Sequence, residues 1–234
     1  MNATVVSTLL PEVQDFLAEE SLASFVGGKP VHSEEGTTFA THDPGTGQKL
    51  ADVQDLQPND VARAVDVANA AFRNQPWAKL APNERGALLH RLADAVEQKK
   101  EVIAQLEALD AGKLESQAQG DVQNFVDTLR YFTDLSQHVQ HRTTLAVKEH
   151  EAWTVRQPWG ACAFIFPWNF PFLLIGWGIS PALAAGNTVV IKPAEDTPLT
   201  AIYLARLAQQ AGIPDGVINA VSYTHLTLPT MSTT

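Results

Sequence analysis

The run from Ala161 to Gly186, ACAFIFPWNFPFLLIGWGISPALAAG, holds no Asp, Glu, Lys or Arg. A stretch this apolar belongs either in a bilayer or inside a packed domain. Its breakers argue for the domain. Three prolines, Asn169 and the glycines at 160, 176, 178 and 186 suit a membrane span poorly. Pro167 and Pro171 forbid a continuous helix through PWNFP, because proline lacks the N–H that the helix ladder needs. Ala161 to Phe166 therefore reads as a short buried strand and Phe172 to Ala185 as a helix, with Gly186-Asn187 as its left-handed stop.

NTVVIKPAEDTPLT follows at once, residues 187–200. Thr188 to Ile191 is β-branched and apolar, a second buried strand. Pro198 opens another helix, Gly212 closes it, and Gly216 to Val221 reads as a third strand. The order is βαβαβ, half of a doubly wound nucleotide-binding fold with right-handed crossovers and parallel strands. Ligands of such sheets lie beyond the carboxyl ends of the strands. Those ends carry Phe166-Pro167-Trp168-Asn169 and Lys192-Pro193-Ala194-Glu195. A Glu after the second strand accepts hydrogen bonds from ribose hydroxyls and repels a 2′-phosphate, and the neighbouring Lys donates to the same sugar. No GxGxxG fingerprint is present. On composition alone, Trp168 reads equally well as core, Asn169 as a turn residue, and Lys192 with Glu195 as an exposed ion pair.

The remaining chain sets bounds. Its 234 residues suit one large domain or two small ones, and 45% hydrophobic residues suffice for a sizeable core. The net charge of −10, with no basic cluster, argues against nucleic acid as a partner. One cysteine, Cys162, excludes an internal disulfide framework and fits a reducing compartment. The N-terminus lacks the basic region of a secretory signal, so the expected location is cytoplasmic. The seven histidines show no metal-ligand spacing, so no metal is expected.

Upstream, Pro11 to Leu22 reads as a short amphipathic helix. Phe25–Val31, Thr37–Thr41 and Lys49–Val53 read as a small β-meander at the edge of the fold. Helices are expected at Pro58–Asn74, Pro82–Gln98, Glu101–Asp110 and Ser116–His138, each with an apolar stripe at three- and four-residue steps. These stripes read as packing surface. Leu145–Lys148 and Trp153–Arg156 flank Glu149-His150-Glu151 and read as a β-hairpin.

PWNFP, PALAAGNTVV and KPAEDTPLT, in that order and spacing, strongly resemble the aldehyde dehydrogenase superfamily. FVGGKPV at 25–31, DPGTG at 43–47 and ALDAGK at 108–113 fit as well, so the resemblance runs roughly from Ser24 to Ala220. Within the superfamily the chain looks like the NAD-preferring enzymes of small aldehydes, including the betaine-aldehyde group. The resemblance implies the N-terminal part of that α/β fold, an incomplete doubly wound parallel sheet with helices on both faces. It implies that Asn169 helps form an oxyanion hole. It implies that Ile165, Phe166, Pro167 and Trp168 lie along NAD, and that Lys192, Pro193, Ala194 and Glu195 hold its adenosine ribose. Family members commonly carry a Lys where this chain has Gly178. The family's hairpin adds strands across subunits, which implies a homo-oligomer, dimer or tetramer.

The family's nucleophilic Cys and general-base Glu lie downstream of KPAE, beyond this chain. Cys162 reads as a small inert core residue instead. The expected organisation is 1–141 as the helical part of the cofactor-binding domain, 142–158 as the oligomerisation hairpin and 159–221 as the βαβαβ half. The ending 222–234, SYTHLTLPTMSTT, reads as non-native sequence or as a disordered natural terminus. The third strand is then expected to be an unpaired edge, and the chain alone poorly soluble or partly molten. Two functions are open: a catalytically silent fragment of an NAD-dependent aldehyde dehydrogenase, or a natural short module that binds nucleotide or joins subunits.

Overall fold

A computed structural model describes residues 9–74 and 77–223. Reading the first eight residues as a leaderless N-terminus, and those after Tyr223 as a tail, falls outside this range. Seven α-helices occur among the described residues: α1 (Pro11–Leu17), α2 (Pro58–Asn74), α3 (Pro82–Gln98), α4 (Lys100–Ala111), α5 (Glu115–Ser136), α6 (Pro171–Ala184) and α7 (Leu199–Gln210). The strands are β1 (Ser24–Val26), β2 (Lys29–Val31), β3 (Thr38–His42), β4 (Lys49–Gln54), β5 (Arg142–Val147), β6 (His150–Val155), β7 (Ala161–Ile165), β8 (Thr188–Lys192) and β9 (Ile218–Ala220).

The apolar run divides as its prolines dictate, into β7, a loop and α6. Pro171 occupies the first turn of α6, where its missing N–H costs nothing. Gly186, at φ +94°, ends α6. Past it, the Asn187 N–H reaches back to the Ala182 carbonyl at 3.0 Å, closing the last turn. Among the described residues, no helix is long and apolar enough to cross a membrane.

The main sheet has the order β2-β1-β9-β8-β7. β7, β8 and β9 are parallel. Alternation along β8 sorts its side chains to two cores. Val190 meets Leu56, Ala64 and Ala68 beneath α2. Val189 and Ile191 join the larger core with α6 and α7, against which α3, α4 and α5 form a further helical layer. The fold is therefore α/β with helices on both sheet faces.

The expected parallel strands are extended into a mixed sheet, because β1 pairs antiparallel with β9 through Phe25 and Ala220. Three expectations need correction. The third strand is covered: the Ser24 and Ser222 hydroxyls meet at 2.8 Å and the Asn219 side chain accepts from the Gly27 N–H at 2.9 Å. The N-terminal strands are no single meander, since β1–β2 joins the main sheet and β3–β4 forms a separate ribbon. Among the described residues the sheet ends at β2 and β7, and β7 is only half-buried rather than fully enclosed. Hydrophobic periodicity reports which face of a strand is covered, and is silent on which strand lies beside it.

The hairpin β5–β6 turns at Lys148-Glu149, earlier than the three-residue turn expected, with Val147 opposite His150 and Glu149 at φ +62°. It packs largely on itself, with the Arg142 guanidinium 4.0 Å above the Trp153 ring.

Candidate functional site

The parallel register sets Ile165 of β7 beside Lys192 of β8, and the Phe166 N–H donates to the Lys192 carbonyl at 3.0 Å. The loops leaving the two strands therefore emerge side by side at the carboxyl edge of the sheet. Ile165 (56% exposed), Pro167, Trp168 (61%) and Asn169 are open to solvent. Phe166 turns inward onto α6, and in the second loop Pro193 is buried and Ala194 partly so. The exposure of Trp168 rules out its reading as core. Asn169 makes no side-chain hydrogen bond among the described residues, so its amide is available.

Lys192 and Glu195 form an ion pair at 3.3 Å, with Lys192 mostly buried and the Glu195 carboxylate more than half exposed. The carboxyl is held below its ordinary range, first by its own backbone N–H and then by Lys192, against partial desolvation. It stays ionised near neutrality, as a hydrogen-bond acceptor. Trp168, Glu195, Asp196 and Thr197 face Thr41, His42 and Pro44 across a cleft of about 350 Å³. A larger cavity, about 490 Å³, lies at the base of the hairpin between α5, α6 and Trp159, and holds none of the expected site residues.

Gly178 has a steric explanation. A β-carbon there would stand 2.7 Å from the Phe166 ring and 3.0 Å from Phe164. Those rings lie parallel, 5.8 Å apart, and fill the place a longer side chain would need. Cys162 departs from the expected core position. It is half-buried at the opposite end of β7 from Asn169, and burial pushes its thiol up, away from the thiolate.

Residues that periodicity passed over lie on α4. This helix is buried on almost every side, rather than along one stripe. Glu107 is fully buried; one oxygen accepts from Lys113 Nζ at 2.9 Å and the Phe172 N–H at 3.3 Å, the other from Thr200 Oγ1 at 3.2 Å. Asp110 accepts from the Leu199 N–H and from Thr41 Oγ1, both at 2.9 Å. Phe172 lies in the first turn of α6 and Leu199 opens α7. Each helix start thus receives an α4 carboxyl group, which satisfies an otherwise orphaned N–H. Lys113 also pairs with Asp121 at 2.9 Å and stands 4.7 Å from the Phe170 ring centre, beside Asn169. The signal in sequence was two acids, three residues apart, inside EVIAQLEALDAGK; nothing local says what they meet. Among the described residues, no group of three or more His, Cys, Asp or Glu side chains is arranged to hold a metal ion.

Strand order, crossover helices and the paired loops define an α/β chain carrying the start of a doubly wound sheet, with two loops side by side at its carboxyl edge. The profile of the aldehyde dehydrogenase family matches residues 31–230, and the chain belongs to that family. It is similar to retinaldehyde dehydrogenase 3 of Mus musculus, 43% identical over 199 residues, covering 84% of this chain and 39% of that protein. It is similar to an aldehyde dehydrogenase of Emericella nidulans, 41% identical over 204 residues, covering 87% of this chain and 41% of that protein. The solved NAD+ complex of aldehyde dehydrogenase from Bacillus cereus superposes with a TM-score of 0.89 at 39% identity, covering 93% of this chain and 44% of that one. The chain spans about two fifths of the length of the curated relatives it matches.

Proposed function

We propose that the chain is the N-terminal portion of an enzyme that oxidises an aldehyde to a carboxylic acid with NAD, class EC 1.2.1. The observation that carries this reading is the juxtaposition of the PWNF and KPAE loops by the Ile165–Lys192 register. The residues present suit the cofactor. Ile165, Pro167 and Trp168 offer an exposed, largely apolar wall, while Lys192 and the ionised Glu195 offer a donor and an acceptor for a ribose diol. Glu195 also disfavours a 2′-phosphate, hence NAD over NADP. NAD, when bound, accepts hydride from the substrate carbon.

The remaining steps follow from the chemistry of a carbonyl. A thiolate supplied downstream of this chain adds to the aldehyde carbon, and the carbonyl oxygen becomes an alkoxide. The Asn169 side-chain N–H donates to that oxygen, stabilising the charge as it forms. Loss of hydride leaves a thioester, and water activated by a downstream Glu releases the acid. The 234-residue chain then binds nucleotide without turning over substrate. The identity of the relatives supports an aldehyde substrate, for which we propose a small one, and the single cysteine supports a cytoplasmic setting.

The hairpin supports homo-oligomers, dimer or tetramer, because Leu145, Val147, Trp153 and Val155 are each roughly half exposed on a β-ribbon that packs largely on itself. This observation also favours a second reading, a short non-catalytic module that joins subunits.

The deciding experiment uses the full-length protein carrying this segment. Asn169→Ala is expected to lower kcat by about 10²–10³-fold, the usual cost of one oxyanion donor. Glu195→Gln is expected to erode the preference for NAD over NADP. Unchanged kcat in the first variant would remove Asn169 from the mechanism, and an unchanged preference in the second would remove the argument for NAD.

A further inference from the structure

We propose that Glu107, acting with Lys113, is a positioning residue that locks the Asn169 loop and the Glu195 loop into one frame. The proposal rests on the reading of those loops as the two halves of one site. Its basis is the branching of a single carboxylate. One Glu107 oxygen holds the start of α6 through the Phe172 N–H, three residues after Asn169. The other holds α7 through Thr200, five residues after Glu195. The same carboxylate anchors Lys113, whose ammonium stands over the ring of Phe170, the residue next to Asn169.

The burial of this group points the same way. Glu107 is fully buried and Lys113 is 10% exposed, so neither is a solvated surface charge. Burial raises the Glu107 carboxyl, and Lys113 with the Phe172 N–H works against that rise. A core needing only volume here would be served by leucine. A carboxylate with donors from α6, α7 and the loop after α4 fixes distances and angles that apolar packing leaves loose. Asp110, one turn along α4, repeats the device at Leu199, so one rigid helix references both loops. Asn169 and Glu195 are themselves exposed, and of the two only Glu195 has a side-chain partner among the described residues, Lys192. The geometry they present to a common ligand is then set from beneath, through α4.

The test uses this chain and reads the two loops separately. Glu107→Gln keeps the shape but weakens every bond that depends on the charge. Amide hydrogen exchange is expected to quicken at least tenfold in the first turns of both α6 and α7, with α2 and α3 unchanged. Thr200→Val, a milder change on α7 alone, is expected to quicken exchange across the gap at Phe172 to Leu174. Lys99→Met, which cuts a more exposed ion pair between Lys99 and Glu12 of α1, serves as the control and is expected to leave both turns unchanged. NAD titration by tryptophan fluorescence is expected to show weaker binding in Glu107→Gln, by about tenfold. Uniform quickening across the molecule in Glu107→Gln would overturn the proposal, since Glu107 would then be a general stabiliser. So would an effect of Thr200→Val confined to α7. Failure of the unaltered chain to bind NAD would count against the functional reading, while exchange in the two turns would still decide the role of Glu107.

Discussion

Asp110 sits fully buried with Glu107 and Asp196 as its charged neighbours, and desolvation pushes its carboxyl well above the ordinary range despite the Leu199 and Thr41 donors. In acid, both folded and unfolded chains hold this proton. As pH rises past the ordinary Asp value, the unfolded chain releases it while the folded chain keeps it. Stability therefore declines from about pH 4 up to the raised native value. Glu107, also raised, adds in the same direction, whereas Glu12, lowered chiefly by its bond to Lys99, loses its contribution as pH falls. Asp110→Asn is expected to melt with a flatter pH profile, its deficit smaller at pH 8 than at pH 5. Thermal melts of both proteins at the two pH values check this, and parallel profiles would count against it. The residues of the two loops were legible in the sequence, because Pro, Trp, Asn, Lys and Glu at strand ends have few structural duties. Glu107 and Asp110 were not, because an acid on a helix reads as solvated until its partners are known.

The contact between α5 and α6 shows the same limit for elements. Gly176 costs α6 helix propensity, about 1 kcal/mol relative to alanine. The structure gives the reason it stands there. A β-carbon at 176 would fall 2.8 Å from the Phe125 ring and 3.1 Å from its Cα, so the helices cross almost backbone to backbone. The Phe125 ring stacks on Phe172 at 4.6 Å beside this crossing. Gly176→Ala is expected to lower stability by about 1–3 kcal/mol, the cost of overpacking outweighing the helical gain. Gly120 in α5 has open space around it, and Gly120→Ala is expected to raise stability by about 0.5–1 kcal/mol. Urea midpoints of the pair check both signs. Helix limits themselves were readable: α2 and α3 begin and end at the residues that Pro58, Asn74, Pro82 and Gln98 mark in the sequence.

At the scale of the molecule, apolar exposure concentrates on the hairpin and its exit, where Trp159 is 95% exposed and Val155 54%. The β7 edge is open nearby. Such a surface favours association. The chain is expected to sediment as a dimer or larger, and Trp153→Glu with Val155→Glu to shift it toward monomer. Because the hairpin contributes little to the main cores, the melting temperature is expected to stay within about 2 °C, as for other surface changes. Sedimentation and melting of the two proteins check the prediction, and loss of folding in the variant would show that the hairpin supports the body.

The sequence by itself determined the local elements. Prolines broke the 161–186 run, β-branched residues made β8, and three- and four-residue spacing made the helices. Each follows from constraints acting within a few residues of one another. It also marked the two loops, since their motifs are contiguous. Only the tertiary structure decided that β1 lies against β9 and that β7 stands at one edge of the sheet. It alone showed that α4 ties both helix starts through buried acids. Those outcomes depend on partners far apart in the chain, such as Phe25 with Ala220 and Glu107 with Thr200. A buried charge acquires its role from whatever groups the fold brings within hydrogen-bond reach, and neighbours in sequence carry no record of them.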